Sequence, residues 1–201
     1  MGRIYYLMGK SSSGKDTIFR KLLEDKELNL KTIVGYTTRP IREGEQNGVE
    51  YYFVCDREME EMEKKGAVIE RRTYNTVHGL WSYFTAIDNQ VKLENNDYIL
   101  IGTLEAYVKI RNYYGKDNIV PIYIEVEDGI RLMRAIKREM EQKEPKYAEL
   151  CRRFLADTED FSEEKLNELG INEKYINDDM NRCILDIKNN ILGYSSKINL
   201  S

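Results

Sequence analysis

Cysteine is scarce in this chain of 201 residues, which contains only Cys55, Cys151 and Cys183. The three are odd in number, lie far apart and include no Cys-x-x-Cys pair, which argues against a disulfide framework and against a zinc site. Unpaired thiols are typical of proteins in a reducing compartment, so we expect a cytoplasmic location.

Long hydrophobic runs and an excess of one charge are also absent. No apolar run approaches the length that spans a membrane, and the short run at residues 4–8 leads into a glycine-containing loop rather than a cleavage site. The formal net charge is −4 with acidic and basic residues interspersed, whereas a nucleic-acid binder normally presents a basic face. The sequence therefore predicts neither a membrane nor a nucleic-acid partner.

Short apolar runs alternate with helical patterns along the chain. The runs at residues 4–8, 98–101 and 119–124 are continuous, as in strands that are buried on both faces. A strongly charged helical segment covers residues 128–161, and Pro145 interrupts it. Strands that alternate with helices predict an α/β fold with a mainly parallel sheet.

A different pattern occupies the stretch between the first two runs. Residues 32–34 and 49–54 are β-prone with turn residues between them, and residues 56–65 resemble a short charged helix.

The glycine-containing loop has the composition of a phosphate cradle. Its backbone N–H groups and the N-terminus of the following helix can form an anion site, to which a lysine adds a point charge. A preceding buried strand and a following helix are the context that such a P-loop requires. The predicted ATP-binding residues here are Gly9, Lys10, Ser11, Ser12, Ser13, Gly14, Lys15, Asp16 and Thr17.

Asp16 occupies the position at which this motif usually has a Ser or Thr that binds Mg²⁺. A carboxylate is a good oxygen ligand for Mg²⁺, and an acidic residue suits a helix N-terminus. We therefore hypothesise that Asp16 holds Mg²⁺, directly or through water.

A second phosphate site is indicated in residues 35–53, where Arg39 and Arg42 lie close to Tyr51 and to a Thr-Thr pair. Guanidinium groups bind phosphate oxygens in pairs, so this segment suits a phosphate monoester.

Residues 35–53 closely resemble the acceptor-binding region of guanylate kinases, and with the glycine loop the resemblance extends with gaps over most of the chain. It implies a kinase that uses ATP and Mg²⁺ and that grips the phosphate of GMP with Arg39, Arg42 and Tyr51. It also implies that Glu70 accepts hydrogen bonds from guanine. The resemblance further implies that Arg134, Arg138 and Arg153 are lid arginines, which close over the triphosphate. It also implies that Asn177 lies near the adenine of ATP.

Three departures from the family pattern fall on the acceptor side. Gly35 replaces a serine that helps to hold the acceptor phosphate. The stretch that closes around the base appears here as residues 80–83, in which Trp81 either stacks on the base or packs in the core, beside Tyr83. The family's Asp-x-Asp, which contributes to base recognition, is replaced by residues 101–103, with Gly102 at the centre.

Because of these departures, alternatives to GMP phosphorylation stay open. Ribose 1,5-bisphosphate phosphokinases share this fold and also tend to have an aspartate at the position of Asp16, but they do not usually keep the Thr-Thr-Arg-Pro segment. A second alternative is a nucleotide-binding regulator with little turnover. A third is a peptide-binding module, against which the intact Gly14 and Lys15 argue.

The sequence as a whole predicts an α/β P-loop core with a parallel sheet flanked by helices. We expect core segments 1–33, 88–125 and 166–201, a small mostly β acceptor-binding insert at 34–87 and a helical lid at 126–165.

The predicted reaction is ATP + GMP = ADP + GDP. Lys15, Arg39 and the three lid arginines are expected to be catalytic. The partners are small nucleotides, and the chain is expected to be a monomer or a homodimer.

The phosphate of a nucleotide is already largely dianionic, with a second pKa near ~6. No general base is therefore needed, and His78 is predicted to be structural or a loop residue.

Overall fold

The structure is a computed structural model that describes residues 2–76 and 79–198, with side chains described to residue 193. His78 lies outside the described residues, so its role stays a prediction. The strands are β1 (Ile4–Met8), β2 (Lys31–Thr32), β3 (Tyr36–Thr37), β4 (Tyr52–Phe53), β5 (Val68–Thr76), β6 (Gly79–Ala86), β7 (Tyr98–Ile101), β8 (Ile119–Glu125) and β9 (Lys174–Ile176). The helices are α1 (Lys15–Glu24), α2 (Asp56–Lys64), α3 (Leu104–Tyr114), α4 (Asp128–Met140), α5 (Tyr147–Asp160), α6 (Glu163–Glu168) and α7 (Met180–Ile198), with a short 3-10 turn at Lys116–Asn118.

A parallel five-stranded sheet in the order β2-β7-β1-β8-β9 forms the core. The continuous apolar run of β1 suits the central position, because all five of its residues are buried between helices on the two faces. Tyr5 and Leu7 face the cluster that includes residues of α1 and α7, whereas Ile4 and Tyr6 face the cluster that includes α3. The α/β fold predicted from the alternating pattern is confirmed.

A second, four-stranded sheet in the order β4-β3-β6-β5 lies entirely within residues 36–86. Its main component is the antiparallel pair of β5 and β6, and α3 of the core packs against β5. The β-prone stretches at 32–34 and 49–54 form only short strands. Gly48, with φ of 83°, and the exposed Val49 and Glu50 form a turn there instead of continuing the ladder.

Helices α4 and α5 pack against each other, and the break between them contains Pro145. The charged helical segment predicted at 128–161 and the helix predicted at 56–65 therefore both have counterparts in the structure. In the described part of the chain, no helix combines the length and the apolar character needed to cross a bilayer.

Candidate active site

The loop between β1 and α1 is shaped to receive an anion. Ser12 and Gly14 both have positive φ, at 64° and 84°, which turns the chain back towards the start of the helix. Gly14 is the N-cap of α1 and has no side chain, so no capping side chain there competes with a ligand for the first N–H groups of the helix. Gly9 permits a close approach, since a Cβ atom there would lie 2.6 Å from the carbonyl oxygen of Ile124.

Asn177 supports this loop from behind. Its side chain is buried and donates from Nδ2 to the carbonyl oxygen of Ser13 at 2.7 Å. A Cβ atom at Gly14 would lie 2.5 Å from the same Nδ2, so the loop and the amide fit closely. The structure thus places Asn177 against the backbone of the P-loop, where it holds the cradle in shape.

Two large cavities meet at the loop. One, of about 640 Å³, lies between the loop and the helices α4 and α5; the other, of about 610 Å³, lies between the loop, the end of β7 and the second sheet. Ser11 and Lys15 line both cavities. A group bound in one cavity can therefore face a group bound in the other across the Lys15 ammonium.

The first cavity has a basic wall contributed by α4, α5 and their connection. Arg138 and Arg153, both predicted to act in a lid, line it, and Arg138 donates to the hydroxyl of Ser12 at 3.2 Å. Lys143 and Lys146 also line it and were not predicted; their clustering with Arg138 was the signal that could have found them. Arg134 does not line this cavity and instead donates to the carbonyl oxygen of Asn177 at 3.3 Å.

Arg131 is a further residue of the site that no sequence pattern predicted. Its side chain is 1% exposed, and its guanidinium donates to Asp128 Oδ1, to Asp157 Oδ2 and to the carbonyl oxygen of Ser11. Asp157 in turn accepts from the Ser11 N–H at 2.8 Å. The backbone N–H and C=O of Ser11 in the P-loop are thereby both fixed, by residues of α5 and α4.

Arg39, the predicted clamp for the acceptor phosphate, is 4% exposed and already paired. Its Nη1 and Nη2 donate to the two carboxylate oxygens of Glu45 at 2.7 and 2.6 Å. These hydrogen bonds raise the pKa of Arg39 and lower the pKa of Glu45 from 4.5 to about 2. An acceptor phosphate at Arg39 would therefore replace Glu45 or share the guanidinium with it.

Some of the other residues predicted to bind the acceptor line the second cavity, and others do not. Tyr51 and Tyr83 line the second cavity with ring centroids 5.6 Å apart, and Arg39 lies over the Tyr51 ring at 5.3 Å. Arg39 itself, the exposed Arg42 and the partly buried Trp81 do not line it. Trp81 lies opposite Tyr74, two residues closer to the hairpin tip than Tyr83, so any contact of Trp81 with the acceptor stays a prediction.

Glu70 is enclosed rather than presented to the cavity. Its side chain is 0% exposed and accepts from Arg72 at 3.0 and 3.2 Å and from the Thr85 hydroxyl at 2.9 Å. Arg72 and Thr85 line the cavity, whereas Glu70 does not. The predicted contact between Glu70 and guanine is therefore not prepared in this conformation and stays a prediction.

Gly102 lies where β7 ends, and Tyr6 explains why no side chain is present there. A Cβ atom at Gly102 would lie 2.1 Å from the Tyr6 hydroxyl, which donates to the carbonyl oxygen of Thr103 at 2.9 Å. Burial raises the pKa of Tyr6, so the phenol stays protonated and acts as a donor.

The described residues contain no cluster of three or more His, Cys, Asp or Glu side chains that could hold a metal by themselves. Asp16 is 81% exposed and lies 3.5 Å from Lys15 Nζ at the mouth of the first cavity. One exposed carboxylate beside a phosphate cradle fits Mg²⁺, because this ion is usually held by one or two carboxylates together with substrate phosphates.

A parallel α/β core, a phosphate cradle at the carboxyl end of its central strand and separate cavities on either side of Lys15 define a P-loop phosphotransferase. The guanylate kinase family model matches residues 1–191. The chain belongs to the guanylate kinase family and is a nucleoside monophosphate kinase.

Individual relatives agree with this assignment. The chain is 33% identical over 148 residues to a guanylate kinase of Malacoplasma penetrans, covering 71% of this chain and 72% of the relative. It is 28% identical to one from Caldanaerobacter subterraneus subsp. tengcongensis over 98% of this chain and 90% of the relative. Among solved structures, a guanylate kinase from Anaplasma phagocytophilum matches with a TM-score of 0.64 and 23% identity, over 96% of this chain and 86% of that one, which supports the fold.

Proposed function

We propose that this protein transfers the γ-phosphate of ATP to the phosphate of GMP and forms ADP and GDP. The observation that carries the proposal is the pair of cavities that share Lys15 and Ser11, in a chain that the guanylate kinase family model matches from residue 1 to 191. ATP would place its triphosphate in the first cavity, and GMP would occupy the second.

The chain needs only to align and to neutralise the reacting groups, since the acceptor phosphate is itself the nucleophile. Lys15 would lie beside the phosphate that moves, and the basic wall with Arg138 and Arg153 would balance its charge. Arg39 would hold the acceptor phosphate from the opposite side once Glu45 yields one or both of its hydrogen bonds.

Asp16 is the residue that we expect to hold Mg²⁺ together with the donor phosphates. When bound, the ion would neutralise charge on these phosphates. Asp16→Asn should therefore raise the Mg²⁺ concentration needed for half-maximal turnover. An unchanged Mg²⁺ dependence would show that Asp16 does not hold the ion.

We further propose that residues 34–87 and 126–165 form an acceptor-binding insert and a lid that close over the core at 1–33, 88–125 and 166–201. The positions of the second sheet and of α4 and α5 support this division. We also propose a cytoplasmic location, which the three free cysteines support, and a monomeric or homodimeric state.

The proposal is tested by ADP release in a coupled assay with GMP, dGMP, AMP, UMP and ribose 1,5-bisphosphate. GMP should give the highest kcat/KM among the ribonucleotides and a higher value than ribose 1,5-bisphosphate. A preference for ribose 1,5-bisphosphate would overturn GMP as the acceptor. ADP release that no acceptor stimulates would identify a nucleotide-binding protein instead of a kinase.

A further inference from the structure

Arg72 is the charged side chain that separates Glu70 from the second cavity. It is 20% exposed and lines the cavity next to Thr85, whereas the Glu70 side chain behind it is fully enclosed. A ligand that reaches this part of the cavity therefore meets the guanidinium of Arg72 before it can meet the carboxylate of Glu70.

The guanidinium is held so that one of its two donor faces stays available. A guanidinium has five N–H donors, and Glu70 accepts only from Nε and from Nη2, which form the lateral face. The end of the fork, formed by Nη1 and the second N–H of Nη2, has no hydrogen-bond partner in the described parts of the chain. Burial acts to lower the pKa of Arg72, but the neighbouring Glu70 carboxylate raises this pKa above its ordinary value, so the fork stays charged.

The charge balance indicates what this fork can bind. Arg72 and Glu70 together are neutral, and a phosphate at the fork would bring a second anion close to the desolvated Glu70 carboxylate. A neutral group with two adjacent hydrogen-bond acceptors suits the site better. The O6 and N7 atoms of guanine are such a pair, and a bidentate arginine is their usual partner.

We propose that Arg72 reads the O6 and N7 atoms of the guanine of the acceptor, while Glu70 orients the guanidinium from behind. This inference depends on the proposed function, in which GMP is the acceptor. It also supplies a reason for rejecting AMP, because adenine presents an amino donor next to N7 and would oppose the donors of Arg72.

Base analogues test the inference on the unmodified protein. In 7-deaza-GMP a C–H group replaces N7, and in IMP the 2-amino group of guanine is missing while O6 and N7 remain. Reading by Arg72 predicts that 7-deaza-GMP loses about ten-fold or more in kcat/KM, mostly through KM, as for the loss of one bond of a bidentate pair. IMP should stay within about three-fold of GMP, since the 2-amino group has no partner in this arrangement.

Variants of Arg72 test the same inference. Arg72→Met keeps the apolar stem and removes the fork, and it should equalise GMP and 7-deaza-GMP. Because it leaves Glu70 unpaired, it should also be combined with Glu70→Gln, which removes the buried charge. The control is Arg71→Met. Arg71 is next in sequence but does not line the cavity, and it pairs with Glu63 at 2.9 Å, so the preference among acceptors should not change.

The outcomes distinguish this inference from the proposed function. If GMP stimulates ADP release but 7-deaza-GMP is used equally well, or IMP falls ten-fold while 7-deaza-GMP does not, Arg72 does not read N7 and the inference is overturned. If no GMP-dependent ADP release is found, GMP is not the acceptor and the proposed function fails first. Retained discrimination in the folded double variant would also overturn the role of Arg72.

Discussion

At the scale of single residues, Lys15 lines both cavities but contributes little to the stability of the fold. Its side chain is 22% exposed and its nearest partner is the exposed Asp16, and an ion pair of this kind contributes about 0–1 kcal/mol to stability. Lys15→Ala should therefore fold normally and lose about a hundred-fold or more in kcat, because the charge beside the transferring phosphate is missing. Thermal unfolding followed by circular dichroism and the ADP-release assay measure the two properties. Lys21→Ala, an exposed residue on the same helix, is the matched control, and normal transfer by Lys15→Ala would contradict the mechanism.

A second prediction at the scale of single residues concerns the close packing of Gly102 against Tyr6. A Cβ atom at Gly102 would lie 2.1 Å from the Tyr6 hydroxyl, so Gly102→Ala should lower the free energy of unfolding by about 1–3 kcal/mol, the usual cost of overpacking. Adding Tyr6→Phe should recover part of this loss, since the closest atom is removed. Urea unfolding measures both changes. Gly193→Ala, where an added Cβ atom would meet no atom of the described residues within 4 Å, is the control and should not destabilise the protein. Equal stability of Gly102→Ala and the unmodified protein would show that Tyr6 moves without cost.

The ion pair between Arg39 and Glu45 makes stability depend on pH. The hydrogen bonds from Arg39 lower the pKa of Glu45 from 4.5 to about 2 in the folded state. The stabilisation is thus complete above about pH 4.5 and is lost as the pH falls towards 2, because the unfolded chain then binds a proton that the folded chain does not. The difference in Tm between the unmodified protein and Glu45→Gln should therefore shrink from pH 6 to pH 3. Glu60→Gln, on the exposed surface of α2, should show no such trend, and a constant difference for Glu45→Gln would contradict the shifted pKa.

At the scale of elements, Arg131 joins α4 and α5 to the P-loop. Arg131→Met would leave Asp157 and Asp128 without their guanidinium partner, and breaking a buried pair costs about 3–5 kcal/mol, of which we expect the lower end because Asp128 is half exposed. The KM for ATP should rise as well, since the Ser11 peptide loses one of its supports. Urea unfolding and steady-state kinetics measure these effects. Arg152→Met, which removes an exposed pair with Glu149, is the control; if both variants are equally stable, Arg131 does not link the elements.

The elements that sequence patterns predicted well are those whose burial follows from local composition. The runs at 98–101 and 119–124 predicted β7 and β8 to within one residue, and the glycine loop predicted the cradle. The β5–β6 hairpin was not predicted as an element, because polar residues such as Glu70 and Arg72 occupy β5 and neutralise each other there. In the same way, the enclosure of Arg131 depends on three segments meeting in space, which no local pattern records.

In the candidate site, too, contiguous motifs could be predicted from the sequence, whereas contacts between distant side chains could not. Lys15 and its loop follow from a contiguous motif, and their position was predicted. The pairing of Arg39 with Glu45 and of Arg72 with Glu70 depends on which side chains a turn or a hairpin brings together. Of the six residues predicted to bind the acceptor, only Tyr51 and Tyr83 line the second cavity, and no local pattern shows which donors there are still available to a ligand.

At the scale of the whole molecule, two cavities that share Ser11 and Lys15 should bind two ligands at once. A non-hydrolysable ATP analogue and GMP should each raise the Tm, and each contributes about 2.7 kcal/mol at a hundred times its Kd. For a chain of this size about 1 kcal/mol corresponds to about 2–4 °C in Tm, so the two ligands together should give a shift close to or above the sum of the separate ones. Lys15→Ala should reduce the shift with the analogue more than the shift with GMP, since Ser12 and Asp16 of the same loop also line the first cavity and not the second. If GMP adds nothing to a saturating concentration of the analogue, the two ligands compete for one site, and the assignment of separate donor and acceptor cavities is wrong.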